Sequence, residues 1–330
     1  MGRMGRRHLQ VALDKRLEIV GICDAVAEAV RVGGEEHGVP EGRRYTDAER
    51  MLREQRPQCV VVATHATSHC DYVLQAAAAG ASHIFCEKPL AVSLTDCDRM
   101  IEACRRAGAA LAVNHQMRFM PQYVEPKRLL DSEAYGGLAS VTVVTGNFGL
   151  AMNGTHYFEM FRYLAGEAPI EATAWFSDSV LPNPRGPQFQ DRAGSVRLTA
   201  RSGKRFYLEC GDDQGHGLNV VYAARNGTIH VDELTGTLRT AVRKAEHRDL
   251  PTTRYGMPWD ESTMQIPPAD STAPTRAVLD AFLDGGSYPT AEDGRLAVAA
   301  LVACYVSHES GHAPIRIDDR LPRDRAFPWA

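Results

Sequence analysis

The sequence predicts an α/β fold in two parts, a parallel sheet covered by helices and then a largely antiparallel sheet. Three observations carry this. Through about residue 120, short apolar runs such as Cys59-Val60-Val61-Val62-Ala63 alternate with helix-spaced segments. Strands that are apolar on both faces belong to a parallel sheet with helices on each side. Beyond that point the strand-like segments alternate apolar with polar residues, as strands with one covered face do. At 330 residues the chain is long for a single core, so two domains are expected. We place them at residues 1–120 and 121–330.

Each element follows in order. His8 to Leu13 is an amphipathic helical stretch, and Leu17 to Cys23 is an apolar strand ending at Asp24. A helix ends near Gly33-Gly34, Tyr45-Thr46 is a short strand, and Asp47 to Glu54 is helical. Cys59 to Ala63 is a strand, Ser68 to Ala79 a helix stopped by Gly80, and Ile84 to Cys86 a strand. Leu94 to Gly108 is a helix with a glycine stop, and Ala110 to Val113 a strand. Ser140 to Thr145, Ala172 to Phe176, Gly194 to Ala200 and Arg205 to Cys210 are the alternating strands. Ser202-Gly203 and Asn226-Gly227 read as hairpin turns. Asn153 to Leu164 interrupts them as a helix, residues 250–274 read as a long loop, and Pro274 to Leu283 and Asp293 to Ser307 are helices.

Composition excludes several classes. A net charge of -4 gives no reason to expect nucleic acid or an anionic membrane as partner. No window holds eighteen uninterrupted apolar residues, so no membrane span is expected. The N-terminal arginines precede no apolar run, so no secretory signal is expected. Eight scattered cysteines form no C-x-x-C pair and read as free, mostly buried thiols of a reducing cytoplasm.

The first motif is the opening, Gly2-Arg3-Met4-Gly5. A glycine-rich loop running into a helix brings backbone N–H groups to a pyrophosphate. An acidic residue about 20 positions on binds ribose hydroxyls, and Asp24 lies 19 residues after Gly5 at a strand end. The alternative is an unstructured start and a solvated aspartate. Ala25, not Arg, follows Asp24; a carboxylate repels a 2′-phosphate, so NAD is expected over NADP. The strand that normally precedes such a loop is missing. Four or five buried apolar side chains are worth roughly 6–15 kcal/mol, comparable to a whole domain's stability of about 5–15 kcal/mol. The expectation is therefore a start downstream of the true one; the alternative is a degenerate domain that binds no cofactor.

The second motif is Phe85-Cys86-Glu87-Lys88-Pro89-Leu90-Ala91. A lysine at the C-terminal end of a parallel strand points into the crevice where open α/β sheets bind ligands. Its ammonium can hold a substrate hydroxyl. The bland alternative is a surface Glu–Lys pair.

These stretches, with GRMGRRHL at the start, VVVATHATSH at 60–69, VNHQMRF at 113–119, GTHYFEMFRYLAG at 154–166 and the helix at 290–311, resemble one family across nearly the whole chain. It is the glucose-fructose oxidoreductase / inositol dehydrogenase / rhizopine-catabolism (Gfo/Idh/MocA) family. The resemblance implies a Rossmann-type domain followed by an α/β domain with an open, mostly antiparallel sheet that often mediates oligomerisation. It implies hydride transfer between a sugar- or cyclitol-like CH–OH and NAD, and a homo-oligomer, dimer or tetramer. It makes Lys88 the lysine that touches cofactor and substrate, and His156 the acid/base. It puts Gly2, Arg3, Met4, Gly5, Asp24, Ala63, Thr64, His69, Glu87, Asn114 and Arg118 at the cofactor.

One departure stands out. The family's aspartate four residues before the histidine is Met152 here, with Asn153 beside it. Asn153 can cap a helix or bind substrate but cannot titrate. Histidine remains suited to the proton because its ordinary pKa lies near neutrality; the alternative for His156 is simple packing at a helix start. His65-x-x-x-His69 and His156-x-x-Glu159 have ligand-like spacing without a third partner, so no metal is expected. The polar loop at residues 177–193 is left without a role. Two further function classes stay open. One is a non-catalytic sugar- or nucleotide-binding or partner protein; the other is a redox-assisted lyase or hydrolase retaining NAD.

Overall fold

The computed structural model describes residues 1–329 apart from 181, 216 and 252–256. In chain order the first elements are α1 (Arg3–Asp14), β1 (Ile22–Cys23), α2 (Ala27–Glu36), β2 (Arg44–Tyr45), α3 (Ala48–Gln55), β3 (Cys59–Val62), α4 (Ala66–Ala78), β4 (His83–Cys86), α5 (Leu94–Ala107) and β5 (Ala110–Val113). Then come α6 (Pro121–Leu130), β6 (Leu138–Gly146), α7 (Thr155–Ala165), β7 (Pro169–Phe176), β8 (Gly194–Ala200), β9 (Arg205–Gly211), β10 (Asn219–Ala224), β11 (Gly227–Asp232), β12 (Thr237–Arg243) and β13 (Trp259–Gln265). The last are α8 (Thr272–Leu283), α9 (Ala291–Glu309) and β14 (Ile315–Arg316).

These elements form two compact units. Met1–Gln116, Ser271–Val298 and Arg323–Ala330 make the first; Met117–Asp270 and Ala299–Pro322 make the second. The first unit thus includes residues 271–298 and 323–330 from late in the chain.

In the first unit every strand pairing between named strands is parallel, in two separate pieces, β1–β2 and β3–β4–β5. Among the described residues no ladder joins β1 to β3. The strand expected over Leu17 to Cys23 is correspondingly reduced to Ile22–Cys23, because a strand bonded along one edge orders fewer backbone groups than one bonded along both. Local chemistry sets the helix ends. Asp47 accepts the Arg50 N–H at 3.0 Å to start α3, and Ser93 accepts the Asp96 N–H at 3.1 Å to start α5. Gly108, at φ +68°, closes α5 in a left-handed turn. The interior of β4 and β5 is fully apolar, with Ile84, Phe85, Ala112 and Val113 all at 0% exposure.

The second unit is built on a nine-stranded sheet of order β13-β12-β11-β10-β6-β9-β8-β7-β14. Only β6–β9 is parallel; every other pairing is antiparallel. Helix α7 packs on it, with Phe158 edge-on to Phe206 at 5.8 Å between ring centroids. The expected loop over 250–274 needs correcting: β13 lies inside it, while residues 252–256 fall outside the described set. Its sequence WDESTMQ is exposed almost throughout, so it carries no apolar alternation to read. All eight cysteines are free. Among the described residues no helix is long and apolar enough to cross a membrane.

Candidate active site

The EKP turn follows β4 and is fixed from beneath by Glu87. This carboxylate is buried, and three segments meet on it. His8 Nε2 from α1 lies 2.7 Å from Oε1. Asn114 Nδ2, just past β5, donates to the same oxygen at 2.8 Å. The Lys88 backbone N–H lies 3.3 Å from Oε2. Burial alone pushes the Glu87 carboxyl up, but hydrogen bonding and charge from His8, with Lys88 and Asn114, bring it well below the usual range. Glu87 is therefore ionised, and the backbone of Lys88 is held at the C-terminal end of a parallel strand. Lys88 itself is half-buried.

His69 steadies the same turn from the other side. It is 1% exposed. Its Nδ1 lies 3.0 Å from the Pro89 carbonyl and its Nε2 3.2 Å from the Thr64 carbonyl. It joins the loop after β3 to the loop after β4, and desolvation lowers its pKa. Ala63 is half-buried and Thr64 exposed in that first loop, and the Thr64 hydroxyl accepts from Ser68 at 2.8 Å.

Gly2 is the N-cap of α1, and Arg3, Met4 and Gly5 form its first turn. A Cβ at Gly2 would meet nothing within 4 Å, so space for a phosphate is open there. Asp24, past the end of β1, comes to this same spot: it accepts the Val26 N–H at 2.9 Å and pairs with the Met1 ammonium. Arg6, beside the loop, is turned to Glu36 at 2.9 Å. A helix start, an open glycine and a strand-end carboxylate suit the pyrophosphate and ribose of a dinucleotide.

In the second unit His156 sits in the first turn of α7 and is 5% exposed. A π-helical turn, Leu150–Gly154, leads into it. Met152 and Asn153 lie in this turn, and the Asn153 amide donates to the Phe148 carbonyl at 2.6 Å. Arg118, also buried, pairs with Glu159, which at 0% exposure also takes Arg162 at 2.9 Å. Its guanidinium lies 4.7 Å from the Tyr163 ring centroid. The acidic partner of the His156-x-x-Glu159 spacing is thus held by two guanidinium groups.

Comparison with known proteins bears on this arrangement. A family model described as an oxidoreductase family with an NAD-binding Rossmann fold matches residues 1–115. The D-apiose dehydrogenase of Paraburkholderia graminis is 29% identical over 94% of this chain and 86% of its own length. The inositol 2-dehydrogenase of Salmonella typhimurium is 25% identical over 96% of this chain and 94% of its own. Residues 1–115 thus match the Gfo/Idh/MocA oxidoreductase family model, and the relatives named above extend the similarity along nearly the whole chain. An oxidoreductase from Agrobacterium radiobacter, solved with NAD+, L-tartaric acid and magnesium, shares the fold at a TM-score of 0.79 and 20% identity, covering 95% of each chain. The WlbA dehydrogenase of Bordetella pertussis, solved with NADH and UDP-GlcNAcA, does so at 0.70 and 22% over 96% of each. The protein is therefore an NAD-binding oxidoreductase, a Rossmann-type domain followed by a domain with a mostly antiparallel sheet.

Sequence reasoning missed His8 as the partner of Glu87, although its place three residues after Gly5, on the inner face of the first helix, was a readable signal. It also missed a buried trio. Glu233, just past β11, accepts from Tyr157 at 3.1 Å and from Tyr123. Tyr157 directly follows His156 in α7 and is buried.

Proposed function

We propose that this oxidoreductase moves hydride between a secondary hydroxyl carbon of a sugar- or cyclitol-like polyol and NAD. The names of the relatives support the substrate class. The observation that carries the reading is the EKP turn: a buried, ionised Glu87 gripped from α1 and β5 holds Lys88 at the end of β4. The fixed backbone sets where the lysine side chain starts, and its flexible stem carries the ammonium out from the end of the strand. Bound NAD supplies the hydride acceptor, cradled by Gly2–Gly5 and Asp24 and lined by Ala63 and Thr64. Lys88 donates a hydrogen bond to the substrate oxygen and steadies negative charge building on it. His156 takes the hydroxyl proton and returns it in the reverse direction. Asn153 offers an amide to the substrate. Asn114 and His69 act by fixing the turn, Asn114 through Glu87 and His69 through backbone carbonyls. Arg118 acts by pairing with Glu159 on α7. The active protein is a homo-oligomer.

The test is Lys88→Ala, assayed for NADH formation over a panel of sugars and cyclitols. Removing one donor aimed at developing negative charge costs about 10²–10³-fold, so turnover should drop by orders of magnitude while NADH binding stays within a few-fold. An undiminished rate on any polyol the parent oxidises would remove the role assigned to Lys88.

A further inference from the structure

The helix bearing His156 begins in an unusual way. Its leading turn, Leu150–Gly154, is π-helical, and the first N–H groups of such a run have no partner within it. Here the loop after residue 190 supplies the partners. Leu150 N donates to the Arg192 carbonyl at 2.9 Å. Ala151 N donates to Asp191 Oδ1 at 2.7 Å and Met152 N to Asp191 Oδ2 at 2.8 Å. One carboxylate thus bridges two consecutive backbone donors. The fit is close enough that Gly149, at φ +75°, has no room for a Cβ, because Asp191 occupies that space.

We propose that Asp191 is the positioning residue for His156, fixing its turn and supplying the negative charge that lets its imidazole hold a proton. This rests on the reading of His156 as the proton carrier. His156 follows Met152 by one helical turn, and side chains on a helix lean back toward its N-terminus, the end whose N–H groups Asp191 holds. An uncompensated helix start carries positive potential and opposes a protonated imidazole. Asp191 cancels that potential at the backbone of Met152, a residue whose own side chain carries no charge. Among the described residues, Glu159 and Arg162 are charged groups on α7 itself, Arg118 precedes α6, and Arg192 adjoins Asp191 in the loop. Glu159 is engaged with Arg118 and Arg162, and the Arg192 guanidinium donates to the Ser177 carbonyl at 3.0 Å.

The experiment is a pH titration of the histidine ring signals by NMR on the full chain, with His156 assigned by its loss in His156→Gln. In Asp191→Asn the His156 pKa should fall by roughly half to one unit, as expected for removing a negative charge from the turn that leads into its helix. Asp191→Ser, which also removes the charge and keeps one acceptor, should do the same and serves if the asparagine variant fails to fold. Asp191→Glu should restore the parent value. A His156 titration unmoved in a folded, charge-free variant would overturn the proposal. That result is independent of whether His156→Gln abolishes turnover, so this inference and the catalytic reading of His156 fail separately.

Discussion

Glu233→Gln should make the protein more stable above neutrality and change it little in acid. Glu233 is 2% exposed, and its nearest polar partners are two phenols, Tyr123 and Tyr157. Burial raises its carboxyl from 4.5 to about 7, with the two tyrosine hydroxyls opposing the shift and Asp232 adding to it. A carboxyl whose folded pKa lies above its unfolded one stabilises fully below the unfolded value. It loses that contribution as pH rises through the folded value. The window here is therefore about pH 4.5 to 7. Each pKa unit corresponds to about 1.4 kcal/mol, so the full loss amounts to roughly 3 kcal/mol, a large share of a domain's net stability. Glutamine keeps the shape and an acceptor for one phenol, and its amide can donate to the other. Urea unfolding of parent and variant at pH 4.5 and pH 8 reads the difference directly. The variant should gain on the parent by 1–3 kcal/mol between the two pH values. A stability difference independent of pH over that range would show that Glu233 does not titrate there, and the argument from burial would fall.

Two further outcomes follow from the first unit. Asp24→Ala removes a carboxylate able to bind a ribose diol, and charged hydrogen bonds are worth about 1.5–3 kcal/mol; NADH affinity should drop about 10- to 100-fold in a fluorescence titration, and unchanged affinity would take Asp24 out of the site. His8→Ala strips the buried Glu87 carboxylate of its 2.7 Å partner. Breaking a buried pair from one side costs about 3–5 kcal/mol, so thermal unfolding at pH 7 should move down by many degrees; a change under about 1 kcal/mol would mean that Asn114 and the Lys88 N–H suffice.

By itself the sequence determined the succession of elements and the chemistry-bearing turns. Apolar runs ending at Cys86 and Val113, the Gly108 stop and the hairpin at Asn226-Gly227 are short-range signals. Each is set by side-chain hydrophobicity or by the few backbone angles a residue allows. The same holds for Glu87-Lys88-Pro89, whose position after a buried strand is legible from the strand alone. Tertiary structure decided everything that depends on which distant groups meet. Leu17 to Gly21 reads as strand by composition, yet a strand exists only where a neighbour takes its hydrogen bonds, and only Ile22–Cys23 finds one, in β2. Strand β13 has no apolar pattern and is ordered by its ladder to β12. His8 with Glu87, 79 positions apart, Arg118 with Glu159, and Asp191 with the backbone of Met152 are pairings between segments that no local periodicity connects. A buried charge needs a partner, but the sequence does not say which one; only the folded chain brings it there.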